Sequence, residues 1–322
     1  MGIFGTGQAI RRREDQRFLT GTGRYTGDIT LPGQAHLYVY RSPFAHGEIT
    51  HLDLTEAASA PGVIAVYTAA DLAAAGVRDL AGTGLRSMSL ADDAIRQPPL
   101  ARERVRYVGE PVVAIVAESI AEARDAGDLV EFDVAELDAV VLPQDALEDG
   151  APLLHERAPG NLLGILEHGD REATEKAFAA ADRISSVDIV NTRIAPTAME
   201  PRGCNAAFDG GKLTLYQGCQ GVHRLRDLLH FSFDLDDDEM HIICPDVGGA
   251  FGLKFFLQCE TVLAVHAAMQ TGRPVKWIAE RTESFLSDLH GRDHVTHAEL
   301  AMDADGRFTG LRMHLIGNTG AY

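Results

Sequence analysis

Apolar positions along this chain follow two rhythms, a period of two or a continuous short run, and a period of three to four, and the two alternate. Runs at 36–40 (His-Leu-Tyr-Val-Tyr) and 63–67 (Val-Ile-Ala-Val-Tyr) read as strands. Thr68 is placed to cap an alanine-rich helix over 69–75 that Gly76 ends. The run 111–117 is apolar at almost every position, as a strand covered on both faces must be. Ser119 then caps a helix starting at Ile120, and 130–134 returns as a strand. Between 142 and 163 the periodicity fades, and Pro143, Gly150, Pro152, Pro159 and Gly160 mark a linker. Beyond it the pattern predicts helices over 172–181, 221–231 and 256–269. Strands are expected over 184–190, 212–216 and 240–244. Two extended runs, 294–302 and 308–317, are joined by Asp303-Ala304-Asp305-Gly306, a hairpin signal. The mixture predicts an α/β or α+β fold in two domains, 1–145 and 146–322.

Composition narrows the classes of function. A hydrophobic content of 45% with 24% charged residues is that of a globular chain. With 47 acidic against 29 basic residues the net charge is −18, a surface that repels phosphate backbones and argues against a nucleic-acid partner. No apolar run approaches the length of about 18 residues that a membrane span needs. The start of the chain lacks a signal-peptide core, which points to the cytoplasm. Met1-Gly2-Ile3-Phe4-Gly5-Thr6 fits the short myristoylation pattern, but six residues match it readily by chance. Cys204, Cys219, Cys244 and Cys259 are widely spaced, so the chain should carry no iron–sulfur cluster or structural zinc, and its thiols should be buried and reduced.

Two segments carry candidate chemistry. In Asp246-Val247-Gly248-Gly249-Ala250-Phe251-Gly252-Leu253-Lys254 the glycines allow close backbone approach to a ligand. With a helix expected to follow, free N–H groups and a positive dipole end would suit an anionic or oxo-bearing group. The spacing fits neither a P-loop nor a dinucleotide fingerprint, and a tight structural turn is an equal alternative. In Tyr216-Gln217-Gly218-Cys219-Gln220-Gly221 a strand ends and a helix opens, leaving Gln220 at the helix N-terminus. Its amide can both donate and accept there, or simply cap or meet solvent. The remaining clusters read more simply. His290, Asp293, His294 and His297 suit an exposed hairpin better than a metal site, because His294 and His297 would face opposite sides of a strand. His46 and His51 read as surface or locally hydrogen-bonded groups. Arg11-Arg12-Arg13, with Glu14 and Asp15, reads as a solvated turn, and Glu200 with Arg202 as a structural ion pair.

Gln220 followed by the loop Gly248-Gly249-Ala250-Phe251-Gly252-Leu253-Lys254 resembles the large, molybdopterin-binding subunits of the xanthine dehydrogenase, aldehyde oxidase and carbon monoxide dehydrogenase family. The separation of 31 residues between Gln220 and Phe251 fits that family. Gly7-Gln8-Ala9-Ile10-Arg11-Arg12-Arg13-Glu14-Asp15, Arg41-Ser42-Pro43-Phe44-Ala45-His46, Val108-Gly109-Glu110-Pro111-Val112 and Met199-Glu200-Pro201-Arg202-Gly203 are similar to further family stretches, in order. The resemblance implies a hammerhead-type α/β domain over 1–145, followed by the first part of a molybdopterin-binding domain over 146–322. It implies that the Gln220 side chain contacts the apical oxo group of molybdenum and that the backbone at Phe251 holds the same centre. Gly248, Gly249, Ala250 and Gly252 would form the rest of the cradle.

Phe255 would line the substrate pocket, at the position where purine-oxidising members carry a glutamate. The implied cofactor is molybdenum–molybdopterin, in its cytosine dinucleotide form. Two-iron, two-sulfur clusters and FAD would sit on partner subunits. The implied reaction is oxidative hydroxylation, with water, of a small aldehyde or heteroaromatic substrate. The family keeps its glutamate base C-terminal to the matched region, so no catalytic residue is assigned here. Residues 1–322 alone are expected to be inactive until another chain or segment supplies the C-terminal half. The alternative is a non-catalytic cofactor-binding or assembly subunit.

Overall fold

The computed structural model describes Gly7, residues 11–80 and residues 95–322; the myristoylation pattern at 1–6 lies outside the described residues. Among these residues the strands are β1 Ala35–Arg41, β2 Gly47–Asp53, β3 Val63–Tyr67, β4 Arg104–Val105, β5 Pro111–Ala117 and β6 Glu131–Glu136. They continue with β7 Arg183–Asn191, β8 Gly203–Asp209, β9 Lys212–Gln217, β10 Met240–Ile243, β11 Val275–Ile278, β12 His294–Met302 and β13 Phe308–Gly317. The α-helices are α1 Asp15–Leu19, α2 Thr55–Ser59, α3 Ala69–Ala74, α4 Ile120–Gly127, α5 Arg171–Ala179, α6 Val222–Phe233, α7 Cys259–Thr271 and α8 Arg281–Ser287.

One mixed sheet of seven strands, in the order β10-β9-β8-β11-β1-β5-β3, organises the core. All seven residues of β5 are buried, and they divide between its two faces. Ala114 and Val116 join the apolar cluster that holds Val262, Leu263 and Val265 of α7. Val113, Ile115 and Ala117 join the cluster built on Ala123 and Ala126 of α4. That two-sided cover is why the strand reads as a continuous apolar run. The expected caps are present: the Asp71 carboxylate accepts from the Thr68 amide at 2.7 Å before α3, and Ser119 Oγ accepts from the Glu122 amide at 3.2 Å at the start of α4. Strand β1 pairs with β11 in parallel, Ala35 opposite Val275 and His36 opposite Lys276, so early and late parts of the chain share one sheet.

Two smaller sheets flank it, β4-β2-β6 and β13-β12-β7. The expected hairpin forms with the expected bounds, and β7 adds antiparallel to β12 along its whole length. The stretch 142–163 has only single turns at 145–147 and 159–161, yet it is not loose. The Asn161 amide donates to the carbonyls of Ala146 and Pro152, both at 3.0 Å, and its oxygen accepts from the Leu154 amide.

The expected boundary that moves furthest is the start of α7. The helix predicted over 256–269 starts at Cys259, with Gln258 as its N-cap. Leu253–Phe255 instead form a single 3-10 turn after Gly252, whose φ of +91° reverses the chain. Residues 259–268 of α7 are buried without interruption, so its apolar pattern runs all round and carries no sharp start signal.

Candidate molybdopterin site

Strands β9 and β10 run parallel, Leu213 opposite Met240 and Tyr216 opposite Ile243, so their C-terminal ends lie at one edge of the sheet. The loop carrying Gln220 and the glycine loop therefore leave the sheet side by side, the usual place for a ligand in such sheets. They are also bonded. The Gln220 amide donates to the Lys254 carbonyl at 3.0 Å, and the Cys219 amide donates to Cys244 Sγ at 3.4 Å. The neighbouring Cys219 thiol draws the Cys244 thiol down to about 6. The Gln220 side chain is exposed and bonds to no described residue.

Glu200 straps this arrangement from below. Its Oε2 accepts from the Gly248 amide at 2.8 Å and from Lys254 Nζ at 2.7 Å, and its Oε1 accepts from the Thr26 amide at 3.3 Å. Its own amide donates to the Gly248 carbonyl at 3.0 Å. Thr26 Oγ1 in turn accepts from the Gly218 amide at 2.9 Å, which ties in the Gln220 loop. The Lys254 side chain is only 3% exposed, so the ion pair with Glu200 is what allows its charge to be buried.

The loop itself is bent into conformations that leave donors free. Gly249 has φ +101°, Phe251 has φ +51° and Gly252 has φ +91°. For Phe251, a bulky residue, the left-handed region is strained. Among the described residues nothing accepts from the amides of Gly249, Ala250 and Phe251. Consecutive free donors on a reversing backbone can hold an oxo-bearing or anionic group. The Phe251 ring is 74% exposed beside them.

A Cβ on Gly248 would fall 2.6 Å from Glu200 Cβ and 3.3 Å from its amide nitrogen, atoms that no side-chain rotation can move away. Gly248→Ala should therefore displace the strap and cost about 1–3 kcal/mol. Urea denaturation checks the stability, and metal content of the purified variant checks the loop. At Gly252 there is open space but a positive φ, so Gly252→Ala should cost only about 1–2 kcal/mol of backbone strain.

Three readings of the sequence change. The glycine loop does not lie on a helix N-terminus, because the 3-10 turn and an extended Phe256–Gln258 link separate it from α7; only Gln220 precedes a helix directly. Glu200 and Arg202 do not pair with each other: Glu200 takes Lys254, and Arg202 takes Glu260 and Asp288. His46 is neither at the surface nor bonded locally: it is buried, with Nδ1 2.8 Å from the carbonyl oxygen of Asp138, 92 residues on. All four cysteines are free; Cys204, Cys219 and Cys259 are buried, and Cys244 is half-buried. His297 bonds Asp188 and Asp293 bonds Arg193. The roles of Glu200, Thr26 and Arg224 had no signal in the sequence, since each depends on a partner that folding alone brings near. Arg224, in the first turn of α6, lies over the Phe255 ring at 4.2 Å, with 40% of Phe255 still exposed.

Residues 154–322 match the family model of the molybdopterin cofactor-binding domain. Residues 20–138 match that of the aldehyde oxidase and xanthine dehydrogenase a/b hammerhead domain. The chain therefore belongs to the molybdopterin-binding large-subunit family of the molybdenum hydroxylases. Among its relatives, it is 36% identical over 318 residues to the nicotine 6-hydroxylase large subunit of Paenarthrobacter nicotinovorans, covering 98% of this chain and 38% of the relative. It is 34% identical to the carbon monoxide dehydrogenase large chain of Hydrogenophaga pseudoflava, covering 96% of this chain and 39% of that one. The structure of the reconstituted CO dehydrogenase from Oligotropha carboxidovorans superposes with a TM-score of 0.87 at 34% identity, over 96% of this chain and 39% of that chain. Quinoline 2-oxidoreductase from Pseudomonas putida 86 gives 0.84 at 33% identity, over 96% and 39%. The chain thus spans about two-fifths of the length of these relatives.

Proposed function

We propose that this chain forms one wall of a molybdenum–pterin site in an enzyme that hydroxylates an aldehyde or a heteroaromatic ring with oxygen from water. The observation that supports this most is the bonded pair of loops, Gln220 held through the Lys254 carbonyl next to a run of free amides. When bound, the cofactor supplies the redox chemistry. Gln220 would offer its carboxamide to an oxo ligand of the metal, and the Gly249–Phe251 backbone would offer N–H donors to the same cofactor. Gly248 and Gly252 give the chain room and direction: the Gly248 amide is already bound by Glu200. Both oxygens of that carboxylate already accept hydrogen bonds, so Glu200 is read as holding the loop and not as the base. The glutamate base, the cytosine dinucleotide contacts and the rest of the pocket would come from the remaining length of the relatives. Iron–sulfur and FAD subunits would carry the electrons away, with the whole hetero-oligomer in the cytoplasm. We keep 1–145 and 146–322 as the two domains of this part.

Metal analysis of the native complex, with the mass of every chain present, tests the proposal. One molybdenum per copy of this chain, with catalytic turnover, is expected. A complex complete in its chains and free of molybdenum would sink the proposal, and molybdenum without turnover of any aldehyde or heteroaromatic would favour an assembly role. Phe255 narrows the substrate. A phenyl ring accepts no hydrogen bond from a purine N–H, and each buried polar group left unpaired costs about 1–3 kcal/mol. Aldehydes or less polar heteroaromatics should therefore be oxidised well ahead of hypoxanthine. Steady-state kinetics that show efficient xanthine or hypoxanthine oxidation would contradict this.

A further inference from the structure

We propose that Arg224 recognises an anionic substituent on the substrate, so that the site takes aldehydes or heteroaromatics bearing a carboxylate. This rests on the reading of Phe255 as a wall of the substrate pocket. The chain has 47 carboxylate side chains against 29 basic ones, and two other arginines near this edge have found partners: Arg17 bonds Asp246, and Arg281 donates to the Ala198 carbonyl at 2.6 Å. Arg224 pairs with no carboxylate among the described residues, and its half-buried side chain leaves Nε shielded from solvent without a hydrogen-bond partner.

Its position deepens the anomaly. A cation in the first turn of a helix opposes the positive end of the helix dipole, so Arg224 weakens α6 where it stands. What holds it is aromatic: the guanidinium lies 4.2 Å from the Phe255 ring centre and 5.7 Å from that of Phe256. Stacking holds the guanidinium over the ring with Nε enclosed, so a carboxylate would be captured through the two terminal nitrogens of the fork. Arg224 also follows Gln220 by four residues, across the Gly221 N-cap. An anion bound there would face the N-terminus of α6, where neither side chain nor described carboxylate caps the free amides. Together Phe255 and Arg224 present a π face and donors but no acceptor, which is the complement of an aromatic carboxylate.

The test compares benzaldehyde with 4-formylbenzoate on the assembled enzyme containing this chain, as wild type, Arg224→Gln and Arg224→Lys. The ratio of kcat/KM for 4-formylbenzoate over benzaldehyde should fall about 10- to 100-fold in Arg224→Gln, the range for losing a hydrogen bond to a charged group. The fall should lie mainly in KM, and Arg224→Lys should restore part of it. An unchanged ratio, or equal losses on both substrates as when Arg224 pairs with a carboxylate elsewhere in the assembly, would overturn the proposal. If the wild type oxidises neither aldehyde, the functional reading fails first, and calorimetry with 4-formylbenzoate then decides on Arg224. Saturable binding that Arg224→Gln abolishes supports the anion site; no binding, or equal binding to the variant, overturns it.

Discussion

Gln220→Ala in the assembled enzyme is expected to lower kcat by about a hundred- to a thousandfold, the usual effect of removing one preorganised donor from a site of developing charge. The fold should not change. Gln220 is held by its backbone amide on the Lys254 carbonyl, and alanine keeps that bond. The side chain is exposed and touches no polar partner, so its loss should move stability by no more than about 0.5 kcal/mol. Molybdenum content should remain near wild type, because the Gly249–Phe251 amides and the Glu200 strap are untouched. Metal content, thermal midpoint and single-turnover rate, measured on the same preparation, separate these effects. Full molybdenum with unchanged turnover would remove Gln220 from the site.

Much of this site was legible because its parts are local. The free amides depend on Gly249, Phe251 and Gly252 within four residues, and the helix after Gln220 announces itself through Val222, Leu225 and Leu229. The long strands and the hairpin were legible for the same reason: their pattern repeats enough times to outweigh chance. What escaped is short or non-local. Strand β11 has four residues, too few for a period, and β8 begins on Gly203 and contains Asn205, poor strand formers on propensity alone. Asn205 sits there because folding supplies Ile29 and Gln34 as hydrogen-bond partners. The same holds for charge. Glu200 stands two residues from Arg202 yet bonds Lys254, 54 residues away, while Arg202 bonds Glu260 and Asp288. Sequence adjacency is a weak guide to ion pairs once the backbone leaves a helix, where the three- and four-residue neighbours are fixed.

Arg202→Met should be the most destabilising single change in the chain, at about 3–5 kcal/mol, the cost of removing one partner from a buried ionic cluster. The Arg202 guanidinium bonds Glu260 through both terminal nitrogens, at 2.6 and 3.2 Å, and Asp288 through Nε at 2.6 Å. It also donates to Ser287 and Gln258 and stacks 5.1 Å from the Trp277 ring centre. Arg41 on β1 completes the cluster by binding Glu260 and Glu283 at 2.6 and 2.7 Å. The side chains of Arg202, Glu260 and Asp288 are all less than 5% exposed. Without Arg202, the buried Glu260 and Asp288 and the half-buried Glu283 would be left with the single cation of Arg41. Lysine should recover only part of the loss, since one ammonium cannot meet the five acceptor atoms that the guanidinium fork reaches. Acid gives the second readout. Burial alone would raise the Glu260 pKa, but Arg202 and Arg41 outweigh it and hold the group at about 2. Because that lies below the unfolded value of about 4.3, the native state gains stability above that pH, and the gain is lost as pH falls towards 2. In Arg202→Met the depression shrinks, so the two proteins should differ most at neutral pH and converge below about pH 4. Urea unfolding at pH 7 and pH 3.5 measures both. A difference that stays the same at the two pH values would show that lost packing against Trp277, and not the buried charges, sets the cost.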